Sequence, residues 1–322
     1  MKSNYIAYPL LFKPIFKERI WGGQTLKKLN KKICSQTTGE SWELSAIPED
    51  ESIVESGIYK NKSITDLLSS FSVEILGQSV VDKFGTLFPL LFKYLDAQQD
   101  LSIQVHPNDE LAMKRHGSLG KTEMWYVVEA DDNATILVGF KEKVTKQQYL
   151  SAIENNNIEK LLNKIPVKKG DVFMLETGTV HAIGAGTLIA EIQQSSDITY
   201  RIYDFDRRDV HGNLRELHND LAVDAINFEK TDCRRDYQKT ENSLNNIVTS
   251  QYFTTNYIAL NGRLAMSKNN DNFAVYMVVD GSCKINYEGE INYFEKGQTI
   301  LIPAILTNFE FVGQATILEI TI

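Results

Sequence analysis

Gln104 and His106 are two residues whose types and spacing could do chemistry together. They sit two apart in Leu101-Ser102-Ile103-Gln104-Val105-His106-Pro107, a run that reads as a strand, so both side chains point to one face. Two donors on one face can share a cation. Glu123, at the head of Glu123-Met124-Trp125-Tyr126-Val127-Val128, adds a carboxylate. His181, shortly after the turn at Gly178, adds a second imidazole. An amide oxygen, two imidazoles and a carboxylate are an N/O set suited to zinc, with iron, manganese, cobalt and nickel as competitors. With one anionic ligand such a site keeps a net charge of about +1 and could polarise a substrate oxygen as a Lewis acid. Singly, each residue has an ordinary reading as a strand position, a solvated strand-edge carboxylate or a packed imidazole. Their joint occurrence suggests a site. His116 falls in a loop-like surface segment, 115–120, and His211 and His218 have no usable partner spacing.

The elements that must position these residues are mostly strands. Short apolar, β-branched runs recur at 88–97, 101–107, 123–130, 134–140, 171–176 and 187–194, separated by turn residues. Between them the spacing predicts helices over 63–77, opened by a Ser/Thr cap and closed at Gly77, over 145–164, and over 214–226. Residues 229–250 are polar and read as a connection between two domains. After them the strand pattern resumes to the end of the chain. Lys169-Gly170-Asp171-Val172 and Lys296-Gly297-Gln298-Thr299 each set a Lys-Gly turn before a strand, which suggests two copies of one jelly-roll-like unit. No histidine follows His218, so a metal site belongs to the first copy. Gly184-Ala185-Gly186 is followed by a strand-like run and is no dinucleotide fingerprint. The mixed charges of 204–215 read as a solvated loop.

Composition narrows the class. The chain has 322 residues, 43% hydrophobic and 24% charged, which is ordinary for a globular protein. A net charge of −8 argues against a nucleic-acid partner, whose affinity rests on phosphate neutralisation, but leaves room for a small anion held by a few local cations. The three cysteines are far apart and fit a reducing cytoplasm better than a disulfide framework. The N-terminal run is broken by Pro9, Lys13 and Pro14 and does not read as a signal peptide. No apolar stretch is long enough to span a membrane.

Several words then occur in a specific order. Trp21-Gly22-Gly23, Gly39-Glu40-Ser41-Trp42-Glu43, Leu101-Ser102-Ile103-Gln104-Val105-His106-Pro107, Gly120-Lys121-Thr122-Glu123-Met124-Trp125, Gly178-Thr179-Val180-His181 and Ser196-Asp197-Ile198-Thr199-Tyr200-Arg201 resemble the type I mannose-6-phosphate isomerases, in their short bacterial form. The resemblance is dense over about 8–210 and loose beyond. It implies a mainly β fold of two cupin-type jelly-roll barrels, a catalytic one over 1–228 with helical insertions and a degenerate one over 251–322. It also implies one zinc ion per chain, held by Gln104, His106, Glu123 and His181, and a catalytic arginine at Arg201. Glu191 would be a further acid near the site, with Lys93, Lys121 and Ser102 in the substrate pocket. Where cupins often have Pro-x-Gly before the metal histidine, this chain has Glu176-Thr177-Gly178.

The activity so implied is an aldose–ketose isomerisation of mannose 6-phosphate and fructose 6-phosphate through an enediol. It needs a proton shuttle, a positive centre for the enediolate and a phosphate anchor. Glu191 is a candidate shuttle by its chemistry, with Lys121 and a metal-bound hydroxyl as alternatives. Arg201 is too basic for that role and suits the enediolate or the phosphate, unless it only pairs with Asp204 or Asp206. An iron-dependent cupin oxygenase and a non-enzymatic sugar-phosphate binder are the competing readings. A soluble cytoplasmic enzyme, monomer or homodimer, with no nucleic-acid or membrane partner is expected.

Overall fold

Alternation along three central strands decides how the chain is layered. In a computed structural model, which describes residues 5–209 and 211–322, Leu90–Ala97, Glu123–Ala130 and Thr187–Gln194 lie antiparallel in one sheet. Phe92, Tyr94, Met124, Tyr126, Leu188, Ala190 and Ile192 share one apolar cluster; Leu95, Trp125, Val127 and Ile189 belong to another. Period two therefore places Lys93, Glu123 and Glu191 on the same face as the second set. Val172–Leu175 and Arg234–Arg235 extend the sheet on one side, and Thr38–Leu44 and Ile15–Gly23 on the other, to seven strands.

Opposite this face lies a five-stranded antiparallel sheet, ordered Leu162–Pro166, Thr135–Phe140, His181–Ile183, Ile103–Val105, Tyr200–Tyr203. Ile136, Val138 and Ile183 from it meet Leu95, Trp125, Val127 and Ile189. Its outer side, with Leu137, Phe140, Ala182 and Tyr200, is covered by the helices Lys146–Glu154 and Asn219–Ala225 through Tyr149 and Ala222.

A third sheet follows, built on Thr254–Ser267, Ala274–Tyr287 and Asn308–Thr321 with Asn245–Thr249, Thr299–Ile302 and Glu290–Glu295. Leu10–Leu11, from the start of the chain, pairs with Thr299–Ile302 at its edge. One face carries its own cluster, including Tyr276, Ile300, Phe309 and Phe311. The other presents Val275, Met277, Leu301 and Leu318 to Phe92, Tyr94, Met124 and Tyr126. The helix Ile64–Leu76 joins the same cluster. It opens with a reciprocal cap between Ser63 and Asp66.

The Lys-Gly repeat is structural. Gly170 N–H donates to Val127 O at 2.8 Å, and Gly297 N–H to Val278 O at 2.7 Å. Both glycines have a left-handed φ, +87° and +92°. Val127 N–H donates to Asp171 O and Val278 N–H to Gln298 O, both at 2.9 Å. In this shared register Glu123 corresponds to Ala274, and Ala274 lies in an apolar cluster. Trp125 likewise corresponds to Tyr276 and Glu191 to Glu319, so the second unit loses the Glu123 carboxylate but keeps a buried one that accepts from the Tyr276 hydroxyl at 2.7 Å.

The mainly β, cupin-type expectation holds, with one correction. The strands form open sheets facing each other rather than closed barrels. The helix expected over 145–164 stops at Glu154; Ile158–Leu161 is a 3-10 turn and Leu162–Pro166 a strand. The helix expected over 214–226 is confined to Asn219–Ala225. Residues 229–250 contain two short strands, Arg234–Arg235 and Asn245–Thr249, one in each unit's sheet.

Candidate metal centre and active site

Two rows of cross-strand neighbours converge between the sheets of the first unit. Across the large sheet Trp42, Lys93, Glu191 and Trp125 are partners in register. Across the small sheet Arg201, Gln104 and His181 are. Sheet pairing thus gathers seven residues from distant parts of the sequence.

His106, Glu123 and His181 are buried, and their ligand atoms lie within 4.8 Å of one another. His106 Nδ1 is 2.9 Å from Ile198 O, and His181 Nδ1 is 2.8 Å from Thr179 O. A carbonyl can only accept, so each Nδ1 carries the proton and each Nε2 keeps a lone pair. Both lone pairs face Glu123, whose oxygens lie 3.4 Å from the two Nε2 atoms. Glu123 has no accessible surface; its Oε2 is paired with the Lys121 ammonium, and its Oε1 meets no hydrogen-bond donor. A buried carboxylate oxygen left without a donor is costly unless a cation satisfies it. Gln104 completes the group, its amide nitrogen 3.3 Å from His181 Nε2 and its oxygen 3.4 Å from Ser102 Oγ. A half-turn of that amide presents the oxygen instead. Two neutral imidazoles, an amide and a carboxylate with one unpartnered oxygen fit a divalent cation of the N/O-binding class.

Charge around this group is ordered. Burial pushes the Glu123 carboxyl up to about 7, against the pull of Lys121. Burial lowers His181 to about 4, and burial with the charge of Lys121 holds His106 far below the usual imidazole value. Lys121 Nζ lies 2.8 Å from Glu123 Oε2 and 3.2 Å from His106 Nε2. Burial works against its ammonium, but Glu123 and Glu191 outweigh burial and raise its pKa. Glu191 accepts from Trp125 Nε1 at 3.0 Å and has Lys93 Nζ at 3.3 Å and Lys121 Nζ at 3.9 Å. Burial would raise the Glu191 pKa; the two ammonium groups hold it below the ordinary carboxylate value.

A cleft of about 450 Å³ opens above these groups, lined among others by Trp21, Trp42, Lys93, Ser102, Gln104, Lys121, Glu191 and Arg201. Its volume suits a small ligand. Arg201 does not pair with Asp204. That carboxylate is buried and held by Arg207 and Arg215, so this end of 204–215 is no simple solvated loop. Arg201 donates to Glu216 O at 2.8 Å, and its Nε is buried without a partner. His116 is exposed as expected, though it ends the helix Asp109–His116 and meets the Tyr200 hydroxyl.

Comparison with known proteins adds to this geometry. A family model described as phosphomannose isomerase type I, catalytic domain, matches residues 10–138, and one described as mannose-6-phosphate isomerase, cupin domain, matches 243–322. The chain is 40% identical over 312 residues to mannose-6-phosphate isomerase ManA of Bacillus subtilis, covering 95% of this chain and 96% of that one. The chain belongs to the type I mannose-6-phosphate isomerase family. A family relative from Streptococcus mutans is 37% identical over 318 residues, 97% of this chain and 98% of its own. The crystal structure of mannose 6-phosphate isomerase from Bacillus subtilis matches with a TM-score of 0.90 at 35% identity, covering 98% of this chain and 99% of that chain.

All nine residues singled out in the sequence fall in or beside this one region of a family fold. Sequence reasoning gave no role to Trp125, Glu40 or Trp42. Trp125 donates to Glu191, Trp42 lies under the Lys93 ammonium at 4.9 Å, and Glu40 accepts from Trp42 Nε1 at 2.6 Å. Alternation could have found Trp125, two residues from Glu123 and so on its face. Glu40 and Trp42 reach the site through register alone.

Proposed function

We propose that the chain interconverts mannose 6-phosphate and fructose 6-phosphate through an enediol, as a zinc-dependent isomerase with one ion per chain. Gln104, His106, Glu123 and His181 would hold the ion, which when bound supplies a Lewis acid for the sugar's O1 and O2. The reading rests above all on one observation, a buried Glu191 set between the amines of Lys93 and Lys121 at the edge of that donor set.

Glu191 takes the proton from one carbon and returns it to the other. Lys93 and Trp125 keep it ionised and aimed. Lys121, beside Glu123 and Glu191, donates rather than accepts; it stabilises negative charge on a sugar oxygen as the proton leaves carbon. Arg201, with its unpartnered Nε, takes negative charge on the enediolate or the phosphate. Ser102 and Lys93 contact the sugar from the cleft wall. Trp21, Trp42, Leu95 and Leu101 line the same cleft and limit water around the reacting carbons. A sugar phosphate is thus the small-molecule partner. The net charge of −8 counts against nucleic acid, and no helix of the described residues is long and apolar enough to cross a membrane. A cytoplasmic monomer or homodimer completes the proposal.

The test is exchange of the C2 hydrogen of mannose 6-phosphate with solvent, followed beside isomerisation. Glu191→Gln should lose both. Arg201→Ala should slow turnover or raise KM with detectable exchange. A Glu191→Gln enzyme that still exchanged at the wild-type rate would remove Glu191 from the role.

A further inference from the structure

His106 and Glu123 stand at the two ends of one excursion of the chain. After His106 the backbone leaves the small sheet, runs through the helix Asp109–His116, and returns to the large sheet at Glu123. Seventeen residue steps separate the two donors, so something must fix their spacing. The sheets do so only in part, because the two residues belong to different sheets.

A polar clip closes the excursion at its base. Asp109 Oδ1 accepts from Gly120 N–H at 2.8 Å and from Gln194 Nε2 at 2.9 Å. Gln194 Oε1 accepts from Thr122 N–H at 2.9 Å, and Gln194 N–H donates to Thr122 O at 3.1 Å. Asp109 thus sits three residues after His106 and grips the backbone three residues before Glu123. The approach is close enough to need glycine, since a Cβ on Gly120 would lie 2.7 Å from Asp109 N and 2.9 Å from Pro107 O. Lys121 and Glu123 follow at once, and Gln194 ends the strand that carries Glu191. One clip therefore touches the supports of His106, Lys121, Glu123 and Glu191.

The third bond to the Asp109 carboxylate comes from the other unit. Tyr252, between Asn245–Thr249 and Thr254–Ser267, donates its hydroxyl to Asp109 Oδ2 at 2.6 Å. With three donors, the carboxylate has one defined orientation, and the second unit sets part of it.

We propose that Asp109, Gln194 and Tyr252 are positioning residues that fix the spacing of His106 and Glu123, and that through Tyr252 the second jelly-roll unit helps shape a site to which it gives no ligand. This rests on the metal-dependent reading above. Groups behind metal ligands commonly govern affinity by about 10- to 100-fold. Loss of one hydrogen bond to a charged group lowers an equilibrium by about 10-fold or somewhat more.

The test is the dissociation constant for Zn²⁺ alone, by competition with a chelating indicator, together with kcat, KM and the melting temperature of the metal-free protein. Asp109→Ala should weaken zinc binding about 10- to 100-fold and lower kcat more than it raises KM. Asp109→Asn, which keeps the Oδ1 acceptor for Gly120 and Gln194, should recover most of both. Tyr252→Phe should weaken binding about 5- to 10-fold. Ser79→Ala, which removes a different contact between the units, to Asp271 O, should leave binding unchanged. Wild-type zinc affinity and kcat in Tyr252→Phe and Asp109→Ala, with only a lower melting temperature, would reduce the clip to a structural tie. If Asp109→Ala does not fold, Tyr252→Phe decides alone, since it removes one oxygen. Wild-type protein that binds zinc without isomerising would overturn the proposed function while the affinity comparison still judged the clip; wild-type protein that binds no zinc would overturn both.

Discussion

Glu191 is where the chemistry is most exposed to test at the scale of single residues. Its carboxylate is buried between two ammonium groups, and replacing it with glutamine removes the charge but keeps the shape. Glu191→Gln should lower kcat by about 10²- to 10⁴-fold, the usual worth of a general base, with KM changed little. Asp204 makes a separate prediction. Burial opposes its charge, but hydrogen bonds from Arg215 and Arg207 hold its pKa below the ordinary value. The folded pKa therefore lies under that of the unfolded chain, about 3.9. The stabilisation is full above that value and fades as pH falls through the folded one. Asp204→Asn should cost about 1–3 kcal/mol in denaturant unfolding at pH 6–7. The deficit should shrink near pH 3, and a deficit that grew on acidification would contradict this account. At this scale much was legible. The residue types and the Gln104/His106 alternation marked donors, and the surrounding words supplied the others. Glu40 and Trp42 were not assigned, because a strand's sequence does not say which strand lies beside it, and Asp109 was not, because its partners Gly120, Gln194 and Tyr252 are distant in the chain.

Elements repeat the same lesson. The strands over 123–130 and 187–194 occupy the ranges their apolar runs suggest, because both are central and buried on both faces. The helix over 145–164 fails after Glu154 for a local reason. Asn155, Asn156 and Asn157 follow, and Asn156 takes a left-handed φ of +52° that ends the helix. Leu162–Pro166 then pairs with Thr135–Phe140, and tertiary pairing overrides the remaining helical spacing. The turn into Glu123 gives the prediction at this scale. Gly120→Ala forces a Cβ against backbone atoms of Pro107, Asn108 and Asp109. It should cost about 2 kcal/mol or more in thermal or denaturant unfolding. Because the strain falls on the turn before Lys121, activity should fall as well; an alanine variant with unchanged kcat and stability would argue against so tight an approach.

For the whole molecule, two units that share the Lys-Gly turn and its strand register differ in what they enclose. The first keeps polar groups between its sheets. The second has Ala274 at the place of Glu123 and, at the place of Glu191, a buried Glu319 held by the Tyr276 hydroxyl. The broad, apolar contact between them joins Tyr94, Met124 and Tyr126 to Val275, Met277 and Leu318. A chain ending before residue 243 would leave that face in water, so it should appear in the insoluble fraction on expression and bind a hydrophobic dye. A soluble, dye-negative fragment would contradict the layering described. The Lys-Gly echo made the shared turn legible in the sequence. The face-to-face packing was not, since apolar residues on both sides of a strand give no direction to either side.

The most direct test of the central claim is the metal dependence of isomerisation. Protein stripped with a chelator should convert no mannose 6-phosphate to fructose 6-phosphate, and about one equivalent of Zn²⁺ per chain should restore turnover, with Glu123→Gln unable to recover at the same zinc level. Full activity in protein shown to be metal-free, or metal-loaded protein inactive on mannose 6-phosphate, would contradict it.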